Sequence, residues 1–100
     1  MDFRVIKSPT EGTKRALSKR MGTEGKDALE SASAIGLAQG KLIEMIYAID
    51  VAEKAAGVIV EDIKGMCPQH MTSIAILGDT SSVESAIEEI KLKMKEGKCL

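Results

Sequence analysis

Cys67 and His70 stand three residues apart in the stretch Gly65-Met66-Cys67-Pro68-Gln69-His70, and His70 is the chain's single histidine. A thiolate and an imidazole are good ligands for iron or zinc, and Pro68 stiffens the loop that carries them. One chain supplies at most these two ligands, because the second cysteine, Cys99, falls in a tail after Gly97. A complete four-ligand site therefore needs more than one chain. A ring of such loops about a symmetry axis would bring several Cys67 copies together. Plainer readings stand beside this one: a cysteine before proline as a small buried residue, and a histidine satisfied by neighbours or solvent. A third use of the pair is as thiolate and imidazole in a small redox enzyme.

The other candidates carry less chemistry. Asp50, Glu53, Glu61 and Asp62 suggest acid/base pairs, but no nucleophile and no Gly-rich phosphate loop accompanies them, so ion pairing or solvation is the expected role. The six methionines read as core filler, with Met66 and Met71 flanking the motif loop. Gln69 reads as loop structure, and Gly65 as a residue permitting a tight backbone. Cys99 reads as an incidental exposed thiol.

Elements must hold that loop, and the composition limits them. One hundred residues make one domain. The hydrophobic fraction is 44% while aromatics are 2%, so Ile, Val, Leu, Met and Ala fill the core. Such a small core with few large anchors favours further burial between subunits. Fourteen basic residues against fifteen acidic give net charge −1, which argues against electrostatic capture of nucleic acid. Residues 1–26 are locally basic, but no aromatic platform is interleaved, and a solvated face is expected there. No apolar run approaches the roughly 20 residues of a membrane span, the first residues lack the order of a secretory signal, and two unrelated cysteines make no disulfide framework. A cytosolic protein without membrane or nucleic-acid partners is the expectation.

Along the chain, Phe3-Arg4-Val5-Ile6 reads as a strand closed by Ser8-Pro9. Thr10 or Thr13 caps a short helix ending near Met21, with Gly22 as its stop. Residues 23–32 read as a linker or exposed loop; the stretch Gly22 to Ala32, GTEGKDALESA, holds two glycines and one large apolar residue. Residues 33–38 read as a strand and 41–56 as a long helix. That helix has one apolar stripe at Leu42, Met45, Ile46, Ile49, Ala52 and Ala56, and a second at Ile43, Tyr47, Val51 and Ala55. Two stripes are more than one sheet covers, so one is expected to face another subunit. Residues 58–64 and 72–77 read as strands flanking the motif loop. The last helix opens at Ser81 with a Ser81/Glu84 capping box, and Val83, Ala86, Ile87, Ile90 and Met94 form its buried stripe. The class is α+β: a ferredoxin-like β-α-β-β-α core from residue 33 to 96, preceded by a β-α unit in residues 1–22. An antiparallel sheet with helices on one face follows.

Residues 34–94 resemble the bacterial microcompartment (BMC) shell domain. The Ala34-Ile35-Gly36-Leu37 strand, the Ile46-Tyr47-Ala48-Ile49-Asp50-Val51-Ala52-Glu53-Lys54-Ala55-Ala56 helix and the Ile74-Ala75-Ile76-Leu77-Gly78-Asp79-Thr80-Ser81-Ser82-Val83-Glu84-Ser85-Ala86 stretch carry the resemblance. The unit at the front, where the common form has it at the end, resembles the circularly permuted members. Gly-x-Cys-Pro-Gln-His is similar to the motif of a permuted subgroup, the GrpU-type proteins of glycyl-radical microcompartments.

The resemblance implies a homohexameric shell tile with residues 65–70 (Gly65, Met66, Cys67, Pro68, Gln69 and His70) lining a sixfold pore. It also implies an iron–sulfur cluster, expected as [4Fe–4S], held by Cys67 from several subunits. His70 is expected as a ligand or, preferred here, as a neighbour that hydrogen-bonds the site. Electron transfer or redox sensing across the shell is the implied role, without substrate turnover. Other shell proteins and encapsulated glycyl-radical enzymes are the implied partners. A metal-free tile with a Cys-lined metabolite pore, the small thiol enzyme, and an ACT-like ligand-binding module sharing the β-α-β-β-α order remain as rivals.

Overall fold

Residues 34–38 alternate small and branched apolar side chains, and Ala34, Ile35 and Ala38 are all buried. A strand buried on both pleat faces needs cover on both sides, and it sits centrally in a sheet. In the computed structural model, which describes residues 1–65 and 71–97 (side chains of Glu24 and Glu96 excepted), this is the case. The elements run β1 (Asp2–Lys7), α1 (Glu11–Ser18), α2 (Thr23–Ser31), β2 (Ala34–Lys41), α3 (Leu42–Ala55), β3 (Ile59–Ile63), β4 (Met71–Gly78) and α4 (Thr80–Gly97). The sheet order is β1-β2-β4-β3 and every pairing is antiparallel.

The expected α+β order from residue 33 is present, and the two long helices α3 and α4 share one face of the sheet. Their contact is made by Met45, Ala48, Ala52, Val83, Ala86, Ile87 and Ile90 against Ala34, Ala38, Val60, Ile74 and Ile76. Gly36 permits the close approach of α4, because a Cβ there would lie 2.8 Å from Ile87 Cδ1 and 3.0 Å from Val83 Cγ1.

The opposite face is covered too, by α1 and α2. Residues 23–32, expected as linker, hold helix α2 instead. Leu29, only 2% exposed, packs with Met21, Ala32, Ile35, Ala75 and Leu77. The helix is thin in apolar residues because it needs only one large anchor on a small sheet. Its Gly25 serves close packing rather than chain flexibility: a Cβ there would lie 2.6 Å from Glu61 Cγ on β3 and 2.9 Å from Met21 Cε.

Two helix starts are set by side chains. Thr10 caps α1, its Oγ1 accepting from Thr13 N–H at 3.2 Å. At α4 the helix begins at Thr80, earlier than Ser81, and Asp79 is the cap. Asp79 Oδ1 accepts from the Ser82 N–H at 2.8 Å and from Ser81 Oγ at 3.0 Å. A carboxylate offers a stronger acceptor than the Ser81 hydroxyl of the expected capping box.

Candidate functional site

The motif loop spans two neighbouring antiparallel strands, so its two ends are fixed by sheet register. Ile63 lies opposite Ser73 on β4, and Met71 pairs with Lys41 on β2. Residues 66–70, which include Cys67, Pro68, Gln69 and His70, lie outside the described residues, as does Cys99. Gly65 and Met71, the two ends, are described.

The root of the loop is built from three distant segments. Lys64 N–H donates to the carbonyl of Arg20 at 2.8 Å, tying the end of the first helical unit to the last residues of the β3 side. The Arg20 guanidinium lies against Gly65, where a Cβ would meet Nη1 at 3.3 Å. Gly65 does not adopt a positive φ. Across the sheet, Gln39 Nε2 donates to Ser73 Oγ at 3.1 Å. Arg20, Gln39, Asp62, Lys64 and Thr72 thereby border a hollow of about 370 Å³ beside the loop's ends. Arg20 and Lys64 are exposed and bring two cationic side chains to the root. Inspection of the motif alone missed Arg20, Gln39 and Ser73. Arg20 is far from the loop in sequence, and Gln39 and Ser73 meet only through strand register.

The acidic residues weighed for acid/base work do not converge. Asp50 pairs with Lys54 at 2.9 Å on the surface of α3, and its hydrogen bond and charge raise the Lys54 pKa. Glu61 lies under α2 beside Gly22 and Gly25. Among the described residues, no group of three His, Cys, Asp or Glu side chains is arranged to hold a metal ion. Also among them, no helix is long and apolar enough to cross a membrane.

The double apolar stripe of α3 does not divide into one covered and one uncovered stripe, because burial cuts across both. Met45, Ala48, Val51 and Ala52 are buried, while Leu42, Ile43, Ile46 and Tyr47 remain exposed. The first half of α3 therefore carries an apolar surface that the single chain does not cover.

Comparisons with known proteins agree with this architecture. The family model described as BMC domain matches residues 34–100. The chain is similar to the GrpU microcompartment shell protein of Clostridiales bacterium 1_7_47FAA, solved ligand-free. The two share 48% identity with a TM-score of 0.75, over 99% of this chain and 98% of that one. It is also similar to the ligand-free GrpU microcompartment shell protein of Pectobacterium wasabiae, at 29% identity and a TM-score of 0.72, over 90% of this chain and 99% of that one. Comparison with curated proteins finds no match.

Proposed function

The chain belongs to the BMC domain family, among its GrpU-like microcompartment shell proteins, and we propose that it is a homohexameric tile whose central pore holds an iron–sulfur cluster. The proteins of this family are structural, and we read this chain as having no turnover of its own. Its place is the shell of a microcompartment in the cytoplasm, beside other shell proteins and around glycyl-radical enzymes. The β1-α1 unit lies outside the matched 34–100 segment yet pairs with β2 at the sheet edge. That supports reading it as the family's terminal unit moved to the front by circular permutation.

The observation that carries the cluster reading is the donor set. Cys67 and His70 are the loop's metal-binding side chains, and the described remainder of the chain adds no cluster of ligands. A [4Fe–4S] cluster generally takes four thiolates, so the donors fit it only if Cys67 residues from several copies share one site. Six equivalent cysteines cannot all bind one cubane equally, and some Cys67 copies stay unliganded. When bound, the cluster supplies one-electron chemistry. The chain's own contribution is to bring the thiolates together, to offer the His70 imidazole as a hydrogen-bonding neighbour, and to set the positive charge of Arg20 and Lys64 near an anionic centre.

The test is anaerobic purification of wild type and Cys67→Ser, with iron, acid-labile sulfide and absorbance near ~400 nm measured per oligomer. Iron and sulfide in wild type, lost in Cys67→Ser while the oligomer persists, is the expected result. Background iron and sulfide in both, even after reconstitution, would leave a metal-free tile with a Cys-lined pore.

A further inference from the structure

We propose that the open end of the sheet, on its α1–α2 face, binds a small oxyanion held by Arg20, Lys64 and the Ser73 hydroxyl. The proposal goes beyond the cluster reading and does not rest on it, since every group it uses is a described residue. Sheet register sets one row of side chains across all four strands: Asp2 opposite Gln39, Gln39 opposite Ser73, and Ser73 opposite Ile63. The next row on the same face holds Leu37 and Ala75, and the one after it Ile35 and Leu77. Met21 and Leu29 cover Ile35, Ala75 and Leu77. The Gln39–Ser73 row is left open, and two hollows of about 340 and 370 Å³ share those two residues.

The larger hollow gathers donors that the fold holds in place. The Arg20 backbone is pinned from both sides, its N–H donating to the Leu17 carbonyl at 2.9 Å and its own carbonyl accepting from Lys64 at 2.8 Å. Its guanidinium lies against Gly65, whose missing side chain leaves it room: a Cβ there would sit 3.3 Å from Nη1. Lys64 lines the same hollow. Among the described residues neither cation has a carboxylate partner, the ion pairs being Lys7 with Glu84 and Lys54 with Asp50. Asp62 borders the hollow from the edge strand, but it alternates to the opposite pleat face and pairs with neither cation. Gln39 Nε2 donates to Ser73 Oγ, so that hydroxyl accepts one bond and keeps its own proton to donate. Among the described residues nothing takes that proton. Ile63 and Met71, both half-buried, add an apolar floor.

Two cations without counter-charge and one free hydroxyl donor around a single hollow are the complement of an oxyanion. A guanidinium meets a carboxylate or a phosphate through paired N–H bonds, and such charge-assisted bonds are about twice as strong as neutral ones. The apolar floor accommodates a short hydrocarbon chain beside the charged group. A hollow of about 370 Å³ is at the small end of ligand sites, which suits a short-chain metabolite and not a nucleotide. Carboxylate and phosphate share the chemistry that this site recognises. Bound there, either would sit at the root of the motif loop, because Gly65 and Met71 form part of the same wall.

The experiment titrates the full chain at low ionic strength with inorganic phosphate, with butyrate and, as an uncharged counterpart, with 1-butanol. Binding is read from amide NMR shifts. Saturable shifts centred on Arg20, Lys64 and Ser73 are expected with phosphate, butyrate or both, and the tighter of the two tells phosphate from carboxylate recognition. No such shift is expected with 1-butanol. Arg20→Gln should weaken the anion about tenfold, and so should Lys64→Gln, which changes only an exposed side chain and serves if Arg20→Gln fails to fold. Arg15→Gln, on α1 and outside this hollow, should bind as wild type does. Cys67→Ser should also match wild type, which separates this site from a cluster in the pore. No saturable shift with either anion, equal binding of 1-butanol, or affinity unchanged in the folded Gln variants would overturn the proposal and leave the cluster reading standing. Anion binding lost in Cys67→Ser would overturn it in favour of the pore.

Discussion

Lys64 N–H donates to the Arg20 carbonyl at 2.8 Å, and through this bond the first helical unit of the chain is fastened to the strand that leads into the Cys67 loop. The loop's root is therefore as stable as the docking of α1 and α2 on the sheet, and the main anchor of that docking is Leu29.

The first prediction follows from that dependence. Leu29→Ala removes a side chain buried against Ile35, Ala75 and Leu77, and should cost about 2–5 kcal/mol of unfolding free energy in urea. Hydrogen exchange should show the Lys64 amide protected in wild type and markedly faster in the variant, with the amides of α3 changed least. A cost near zero would mean that residues 23–32 behave as the exposed linker their composition suggests.

Gly36 offers a second test, on the other face. A methyl group there meets Ile87 Cδ1 at 2.8 Å and Val83 Cγ1 at 3.0 Å, and both of those side chains are buried. Gly36→Ala should therefore destabilise by about 1–3 kcal/mol, despite the better strand propensity of alanine. Val83→Ala in the same background should recover part of the loss by making room. Additive losses in urea titrations would place the strain elsewhere.

The third prediction concerns pH. Hydrogen bonds from the Ser82 backbone and side chain and from Ser81 hold the Asp79 carboxyl below its ordinary value of 3.8. A carboxyl depressed in the folded state adds stability that is fully present above the unfolded pKa. That stability is lost as pH falls through the folded pKa. Asp79→Ala should therefore lower the melting temperature at neutral pH. The gap to wild type should narrow as pH falls through the folded-state pKa, below which the carboxyl is protonated in both states. A gap independent of pH would assign the effect to helix propensity instead of the charged cap.

The proposed site was suggested by residue types in the motif loop, while nothing in the sequence suggested its surroundings. Cys67 and His70 suggest metal chemistry only by residue type and spacing, and sharing between copies belongs to the proposal, since residues 66–70 lie outside the described residues. Arg20, Gln39 and Ser73 had no such signal, because ordinary polar side chains acquire meaning only when register and helix docking bring them to the same end of the sheet.

The sequence by itself determined the strands, the long helices and the surplus apolar surface of α3, since alternation and helical periodicity are local properties that each segment carries alone. It also determined the order of elements from residue 34 onward, and with it the family. Tertiary structure decided that residues 23–31 are helical, because one buried leucine and a glycine packed against Glu61 matter only once a sheet lies beneath them. It decided as well which side of α3 is covered, with Met45, Ala48, Val51 and Ala52 buried and Leu42, Ile43, Ile46 and Tyr47 left exposed. That division depends on where α4 packs, and no single segment encodes it.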